Sequence, residues 1–225
     1  MSKWFLVLAT AVVLPAAQPP SRLAAQTPDA ASITDRAVAA WQAVRSLRAD
    51  FTQTVRDPMI GTDDTTRGEF FQQRPNKFAM RWRELRGDLI VSDGETLWVY
   101  LPSATPNQAV RTTIAGRPDA TPDVVAEFLE RPRERFTITW ERGEAVGGRA
   151  ADVLAFVPLD RNAPYRRVLL WIDRGDRLVR RVEITEASGA VRRVTLERLR
   201  VNGTIPASTF RFRPPAGVRV VDATR

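Results

Sequence analysis

Asp63 and Asp64 are the strongest candidates for acid–base chemistry in this sequence, since paired carboxylates can serve as the acid and the base of a glycosidase. They lie in "GTDDTTRG", whose polar composition favours a solvated connection. Histidine and cysteine are absent from the 225 residues, which excludes Ser-His-Asp triads, Cys-His dyads and the usual zinc sites. Lys3 and Lys77 are the only lysines. The enzymes that remain possible would rely on carboxylates, Lys, Ser, Thr or Tyr, and no metal site is expected.

The N-terminal segment predicts export. Lys3 precedes the apolar run "WFLVLATAVVLPAA", and small residues follow as far as "LAAQ", a pattern typical of a secretory signal peptide. The run is shorter than the ~20 residues that span a bilayer. We expect residues 1–25 to be removed, with a cut after Ala17 as the alternative, and residues 26–225 to form a single domain. The absence of cysteine excludes a lipid-anchored N-terminus, so the mature chain is expected to be soluble.

Hydrophobic periodicity predicts one amphipathic helix followed mainly by strands. In "SITDRAVAAWQAVRSL" the apolar residues recur at helical spacing, with Ser32 or Thr34 available as the N-cap. From Leu47 onward the period falls to two, and turns such as "SDGE" and "VNGT" separate the alternating segments. These patterns predict antiparallel hairpins.

A second, short helix interrupts the strands, with Thr121 or Asp123 as its cap and Pro132 at its end. Its apolar residues at helical spacing are Val124, Val125, Phe128 and Leu129. Several strands, among them "TLWVY" and "VLLWI", carry large apolar residues on both faces, so each face of the sheet must be covered. Either a second sheet packs on it as in a sandwich, or one sheet curls around its helices and leaves an apolar hollow.

Four blocks of the sequence resemble the LolA family, the periplasmic carriers of outer-membrane lipoproteins in Gram-negative bacteria. They are "SLRADFTQTV", "QRPNKFAM", "LIVSDGETLWVYLP" and "STFRFRPPAGVRVVD". The blocks occur in the same order and span most of the mature chain, while the region from Thr137 to Leu199 matches only in pattern. The resemblance implies a mainly β fold: an unclosed antiparallel β-barrel, formed by a curved sheet of about ten or eleven strands, with helices as a lid over an apolar cavity.

The resemblance also implies a function and its partners. A carrier of this family accepts the acyl chains of lipoproteins that an inner-membrane ABC transporter releases, crosses the periplasm, and passes them to an outer-membrane acceptor of the LolB type. We accordingly expect acylated lipoproteins as cargo and a monomeric carrier that is not an enzyme and holds no metal and no cofactor. The predicted lining of the acyl-chain cavity is Phe51, Phe78, Met80, Trp82 and Trp98, because methionine and aromatic side chains adapt to mobile chains. Taken without the resemblance, the same residues would be expected to fill an ordinary core.

Arg74, in "RPN", is the predicted latch of the lid. By resemblance this arginine holds the empty, closed state by bonding groups of the lid. Its five fixed donors suit that task because they can gather several helix-end carbonyls. From spacing alone, Arg74 would be a solvated residue beside a turn proline.

Arginine accounts for all but two of the 34 basic residues, and the formal net charge is +8. A basic surface can meet anionic lipid headgroups or an acidic partner, and nucleic acid is not expected for an exported protein. Two other classes of function stay open from the sequence. One is a module of the same architecture that binds another lipid or senses lipoproteins, and the other is a carboxylate-dependent hydrolase.

Overall fold

The structure is a computed structural model of the chain, and it describes residues 28–59, 61–85, 87–114 and 125–223. The predicted signal peptide, residues 1–25, and both of its cut sites lie outside these ranges, as do Thr121, Asp123 and Val124 of the second predicted helix. None of the helices in the described ranges is long and apolar enough to span a membrane.

The alternating segments form one sheet, and the described residues contribute twelve strands to it. The strands are β1 Ser46–Arg56, β2 Asp63–Gln73, β3 Lys77–Trp82, β4 Leu89–Asp93, β5 Thr96–Tyr100, β6 Gln108–Thr113, β7 Phe136–Val146, β8 Arg149–Pro158, β9 Tyr165–Asp173, β10 Val179–Glu186, β11 Val191–Val201 and β12 Arg219–Asp222. Their order across the sheet is β12-β6-β5-β4-β3-β2-β1-β11-β10-β9-β8-β7. Because β12 and β7 end the sheet without pairing with each other, the barrel is unclosed, as predicted.

The sheet differs from the predicted one in two details. The sheet has one strand more than the upper figure expected, and its last strand is not antiparallel: β12 pairs in parallel with β6. A 3₁₀ turn at Ala207–Phe210 precedes β12, and it contacts β3 and β4. The chain therefore leaves β11, crosses one face of the sheet and reaches its far edge, a path that hairpin signals cannot predict.

The first helix, α1 (Ala30–Gln42), begins earlier than predicted. Asp29 is the N-cap, and its carboxylate accepts hydrogen bonds from the backbone N–H groups of Ala31 and Ser32, each at 3.1 Å. Thr34, one of the two predicted caps, lies inside the helix and donates its hydroxyl to the Ala30 carbonyl at 2.7 Å. Asp satisfies the free N–H groups of a helix start at least as well as Ser or Thr, which explains the shift.

One face of the sheet, called here the inner face, packs on α1. The helix buries Ile33, Ala37 and Trp41 in a cluster with inner-face residues of both halves of the sheet, from Phe51 and Phe78 on one side to Leu154 and Phe156 on the other. This arrangement decides between the two alternatives of the sequence analysis. A single sheet wraps helices, and no second sheet covers its inner face within the described ranges.

The opposite, outer face carries two further apolar clusters. Near β8 and β9, Trp171 is buried under the guanidinium groups of Arg142 and Arg181, at 5.6 Å and 5.2 Å from its ring centroid. Near β3 and β4, the C-terminal segment covers the sheet, with Phe210 buried against it. The apolar outer positions that the sequence analysis noted are thus covered by arginines at one end and by the chain itself at the other.

Two short helices follow β6 and lie over the inner face. They are α2 (Ala126–Leu129) and α3 (Pro132–Arg135). Pro132 was predicted to end the second helix, yet it begins α3, a position that suits proline because the first helical residue needs no N–H donor. Arg131 separates the two helices with a positive φ of 43°.

Candidate functional site

A cavity of about 790 Å³ lies between the inner face of the sheet and the lid formed by α2. Its apolar lining comes from both halves of the sheet and from the lid: Phe51, Phe70, Phe78, Met80, Trp82, Ile90, Val125, Phe128, Tyr165, Val182, Ile184, Val194 and Leu196. This volume lies within the ~300–1,000 Å³ usual for small-molecule pockets.

Four of the five predicted lining residues, Phe51, Phe78, Met80 and Trp82, lie on this cavity. Period-two alternation places Phe78, Met80 and Trp82 on one face of β3. The Phe51 ring lies across Gly68, where an added Cβ would stand 2.5 Å from the ring and 2.0 Å from the Arg81 carbonyl. The position therefore requires glycine.

Ring contacts hold this wall of the cavity in place. Trp82 meets Phe51 edge-on, with centroids 5.8 Å apart, and Phe70 meets Phe78 in the same way at 5.3 Å. Edge-to-face pairs of this kind add to the stabilisation that burial provides. The wall is therefore formed before any ligand arrives.

Trp98, the fifth predicted lining residue, is not on the cavity, and that prediction was wrong. It pairs with Val91 of β4 and Arg111 of β6 on the outer face. Its ring lies 5.7 Å from the ring of Phe212, and the Arg111 guanidinium lies 5.7 Å from its centroid. Strand β5 is apolar at every position after Thr96, so alternation could not show which face would be covered by the C-terminal segment.

The lid places Val125 and Phe128 on the cavity, while Leu129 is buried in the core beside them. Phe128 is fully buried, and its ring makes edge contacts with Phe136 at 6.1 Å and with Tyr165 at 5.6 Å. Burial raises the pKa of Tyr165, and the nearby Glu127 carboxylate adds to the effect. Tyr165 therefore stays neutral at physiological pH.

Arginines of α3 tie the lid to its surroundings. Arg133 donates to the Asp35 carboxylate at 2.5 Å and to the Ala31 carbonyl at 3.2 Å, both in α1. Arg135 donates to the Glu127 carbonyl of α2 at 2.5 Å. The lid is thus fastened to the beginning of α1.

Arg74 bonds the other end of α1. Its Nε donates to the Val44 carbonyl at 2.7 Å and its Nη2 to the Trp41 carbonyl at 3.0 Å. A positive group is favourable there because the C-terminal end of a helix carries partial negative charge. The prediction that Arg74 gathers helix-end carbonyls fits this geometry, but the helix is α1: one bond ends on its last turn at Trp41 and the other on Val44, just after the helix.

The polar residues of the lining were not predicted from the sequence. Gln53 and Thr66 face each other on β1 and β2, and Arg192 forms an ion pair with Glu186 at 3.2 Å. Asp88 is buried and accepts from both the N–H and the hydroxyl of Ser103, at 3.0 and 2.5 Å. The period-two pattern of "TTRGEFFQ" could have placed Thr66 on the same face as Phe70.

Asp63 and Asp64 form no acid–base pair. Both are exposed neighbours on β2, so their side chains point to opposite faces, and Asp63 is held by Arg56 at 2.7 Å. Neither carboxylate lines the cavity. Within the described ranges, no three acidic side chains converge as the ligands of a metal ion would.

An unclosed β-sheet around an apolar, helix-covered cavity defines a class of lipid-binding folds. Similarity to proteins of known family assigns this chain within the class. A profile described as outer membrane lipoprotein carrier protein LolA matches residues 42–213. The outer-membrane lipoprotein carrier protein of Bordetella avium is 30% identical over 187 residues, covering 79% of this chain and 81% of that protein. The carrier of the same name from Alkalilimnicola ehrlichii is 30% identical over 183 residues, covering 80% and 79%.

The chain therefore belongs to the LolA family of outer-membrane lipoprotein carriers. Among solved structures, an uncharacterized conserved protein from Thermus thermophilus superposes with a TM-score of 0.55 at 14% identity, over 86% of this chain and 99% of that one. At that identity the similarity concerns the fold alone.

Proposed function

We propose that this protein is a periplasmic carrier that binds the acyl chains of lipoproteins released from the inner membrane and takes them to an outer-membrane acceptor. The observation that carries the proposal is the apolar cavity of about 790 Å³ under a helical lid, found in a chain of the carrier family. A role without catalysis accords with the arrangement of Asp63 and Asp64, which face opposite sides of the sheet.

The energetics of acyl chains make such a carrier necessary. Removing an acyl chain of roughly fifteen methylenes from water is worth on the order of 12 kcal/mol, at about 0.8 kcal/mol per methylene. A lipoprotein does not leave a membrane for water at that cost. The aromatic and methionine side chains of Phe51, Phe78 and Met80 offer a replacement for the membrane that adapts to chains of different shape.

Delivery of the cargo requires that the empty, closed form of the protein be stable enough to compete with cargo binding. Phe128 of the lid packs against the rings of Phe136 and Tyr165 at the cavity. Acyl chains and the lid therefore compete for the same apolar surface. Arg74 and Arg133 hold the two ends of α1, against which α2 packs. Hydrogen bonds of charged groups contribute roughly 1.5–3 kcal/mol each when buried, and less here because both arginines are exposed. The lid is therefore biased toward closure without being locked.

The cargo is an acylated lipoprotein, the donor is an inner-membrane ABC transporter that releases lipoproteins, and the acceptor is an outer-membrane protein of the LolB type. The carrier acts as a monomer with residues 26–225 as its single domain, after removal of residues 1–25.

The decisive experiment incubates the purified mature protein with membranes that hold an inner-membrane lipoprotein and its transporter. On addition of ATP, we expect a water-soluble one-to-one complex of carrier and lipoprotein. The matched control is the same lipoprotein without its acyl chains, which is expected to give no complex. Binding of both forms alike would contradict the proposal. A different lipid held by the protein, together with no complex, would replace the cargo by that lipid.

A further inference from the structure

The cavity lining is divided by polarity along the strands. Its apolar residues line the middle of β1, β3 and β11, whereas Gln53, Thr66, Glu186 and Arg192 line the end at which β1 and β10 finish and β2 and β11 begin. A cavity for hydrocarbon alone would have no use for a polar end. The lining therefore matches an amphiphilic ligand that has its apolar chains in the middle of the cavity and its polar group at this end.

Sheet register brings three of these residues together on the inner face. Gln53 is directly opposite Thr66 of β2 and Val194 of β11. Arg192 lies two residues from Val194, which makes it the diagonal neighbour of Gln53. Diagonal neighbours on one face stand roughly 7–8 Å apart, within reach of long side chains. The three side chains therefore form one cluster.

The cluster is rich in hydrogen-bond donors that lack partners. The Thr66 Oγ1 atom is buried and has no hydrogen-bond partner among the described residues. Arg192 uses Nη2 for its ion pair with Glu186 at 3.2 Å, which leaves other N–H groups of a five-donor guanidinium. The Gln53 amide adds two more donors. A buried hydroxyl without a partner is costly in an empty protein, so a ligand that accepts from it is favoured.

Two other polar residues of the lining bond each other, since both carboxylate oxygens of Asp88 accept from Ser103. The donors of Gln53, Thr66 and Arg192 are grouped at one end of the cavity, and a ligand that binds there must offer acceptors beside its apolar chains. The carbonyl oxygens of acyl esters have this property.

We propose that Gln53, Thr66 and Arg192 form a subsite for the ester carbonyl groups that link acyl chains to their glycerol unit. The inference rests on the proposed function and adds the orientation of the ligand. The chains extend from this end toward Phe78, and whatever the glycerol unit carries leaves the protein beside the β1–β2 and β10–β11 turns. Two sources offer the same ester chemistry: the lipid-modified N-terminus of a lipoprotein, which has no phosphate, and a phospholipid.

The test compares ligands and variants together. A synthetic diacyl lipopeptide with ester links and its dialkyl ether analogue, which lacks the carbonyls, are titrated into wild-type protein and Thr66→Val. Loss of one neutral hydrogen bond weakens binding by roughly 3- to 10-fold. We expect Thr66→Val to weaken binding of the ester-linked lipopeptide by this factor and to leave binding of the ether analogue unchanged. Thr66→Val is expected to keep or raise the melting temperature, because it removes an unpartnered buried hydroxyl.

Thr54→Val is the matched control. The Thr54 hydroxyl lies on the other face of the same hairpin, 3.3 Å from that of Thr65. Thr54→Val should therefore leave the binding of both ligands unchanged. Equal weakening of ester and ether by Thr66→Val, or no weakening of either, would overturn the subsite while leaving acyl binding in place. Failure of wild-type protein to bind both ligands would overturn the proposed function with it.

A phospholipid arm distinguishes the two sources. Arg192→Gln is expected to weaken the binding of the diacyl lipopeptide and of a phosphatidylglycerol of equal chain length by the same factor, since both ligands carry the esters. An effect confined to the phosphatidylglycerol would mean that Arg192 binds phosphate, and it would remove that residue from the ester subsite.

Discussion

Arg74 donates from its Nε to the backbone carbonyl of Val44 at 2.7 Å, and this bond ties the turn between β2 and β3 to the residues that follow α1. A second bond, from Nη2 to the Trp41 carbonyl at 3.0 Å, ends on the last turn of the helix itself. As the proposed latch, Arg74 would act on α1, against which α2 packs, and not directly on the lid.

The Arg74→Leu variant is expected to keep its fold and its ability to capture acylated cargo but to release that cargo less completely. Without the two bonds, the empty, closed form loses stability relative to the loaded form. A loss of about 1.4 kcal/mol shifts this equilibrium about tenfold toward the loaded form. Release is measured as transfer of a labelled lipoprotein to acceptor membranes.

Arg45→Leu is the control for this variant, since the Arg45 side chain makes no hydrogen bond to the described residues and is likewise exposed. It should transfer cargo like wild type. If Arg74→Leu loses capture in proportion to its thermal stability, the latch account is wrong and Arg74 serves the fold alone.

The Phe128→Ala variant is expected to bind acyl chains more tightly while it unfolds more easily. Removing a buried phenylalanine costs roughly 3–5 kcal/mol, and here the loss falls on the lid that competes with cargo. Unfolding is followed by denaturant titration, and affinity is measured with a fluorescent fatty acid.

Phe210→Ala is the matched comparison, because Phe210 is as buried as Phe128 but lies on the outer face. It should lose comparable stability with no change in fatty-acid affinity. Tighter binding by both variants would mean that general loosening, and not the lid, controls the cavity.

Much of the fold could be predicted from the sequence because its signals are local. Alternation along β3 places Phe78, Met80 and Trp82 on one face, and the structure has them there. The prediction for Trp98 failed because β5 is apolar at every position after Thr96. The face of β5 that carries Trp98 is covered by a segment more than 100 residues later in the chain, at Phe212. Contacts across such a distance leave no periodic signal.

The polar end of the cavity was missed for a related reason. Thr66 and Arg192 are ordinary strand residues taken singly, and only the pairing of β1 with both β2 and β11 brings them beside Gln53. The same holds for Arg74, whose chemistry suggested helix-end carbonyls while the identity of the helix depended on the three-dimensional arrangement.

Acid is expected to destabilise the protein through Asp173, the last residue of β9. Burial opposes its ionisation, but hydrogen bonds from Arg149, the Gly175 N–H and Arg180 lower the pKa of Asp173 from 3.8 to about 2. The folded pKa lies below the unfolded one, so the stabilisation is complete above pH ~4 and is lost as the pH falls toward 2. The shift corresponds to roughly 2 kcal/mol.

The Asp173→Asn variant should therefore be less stable at pH 7 and should show a shallower fall of unfolding free energy between pH 4 and 2. Asp222→Asn is the contrast, because its partner Arg111 lowers the pKa of an exposed carboxylate, where water screens the ion pair. Its pH profile should match that of wild type. An unchanged profile for Asp173→Asn would show that the buried cluster adds nothing to acid stability.

We expect acyl chains to occupy the cavity on the inner face, and quenching of tryptophan fluorescence by a lipopeptide with brominated acyl chains can locate them. Trp82 lines the cavity, whereas Trp98 lies on the outer face against Phe212. We expect strong quenching in wild type and in Trp98→Phe, and a large loss of quenching in Trp82→Phe. Quenching that persists in Trp82→Phe and disappears in Trp98→Phe would place the chains on the outer face and contradict the account.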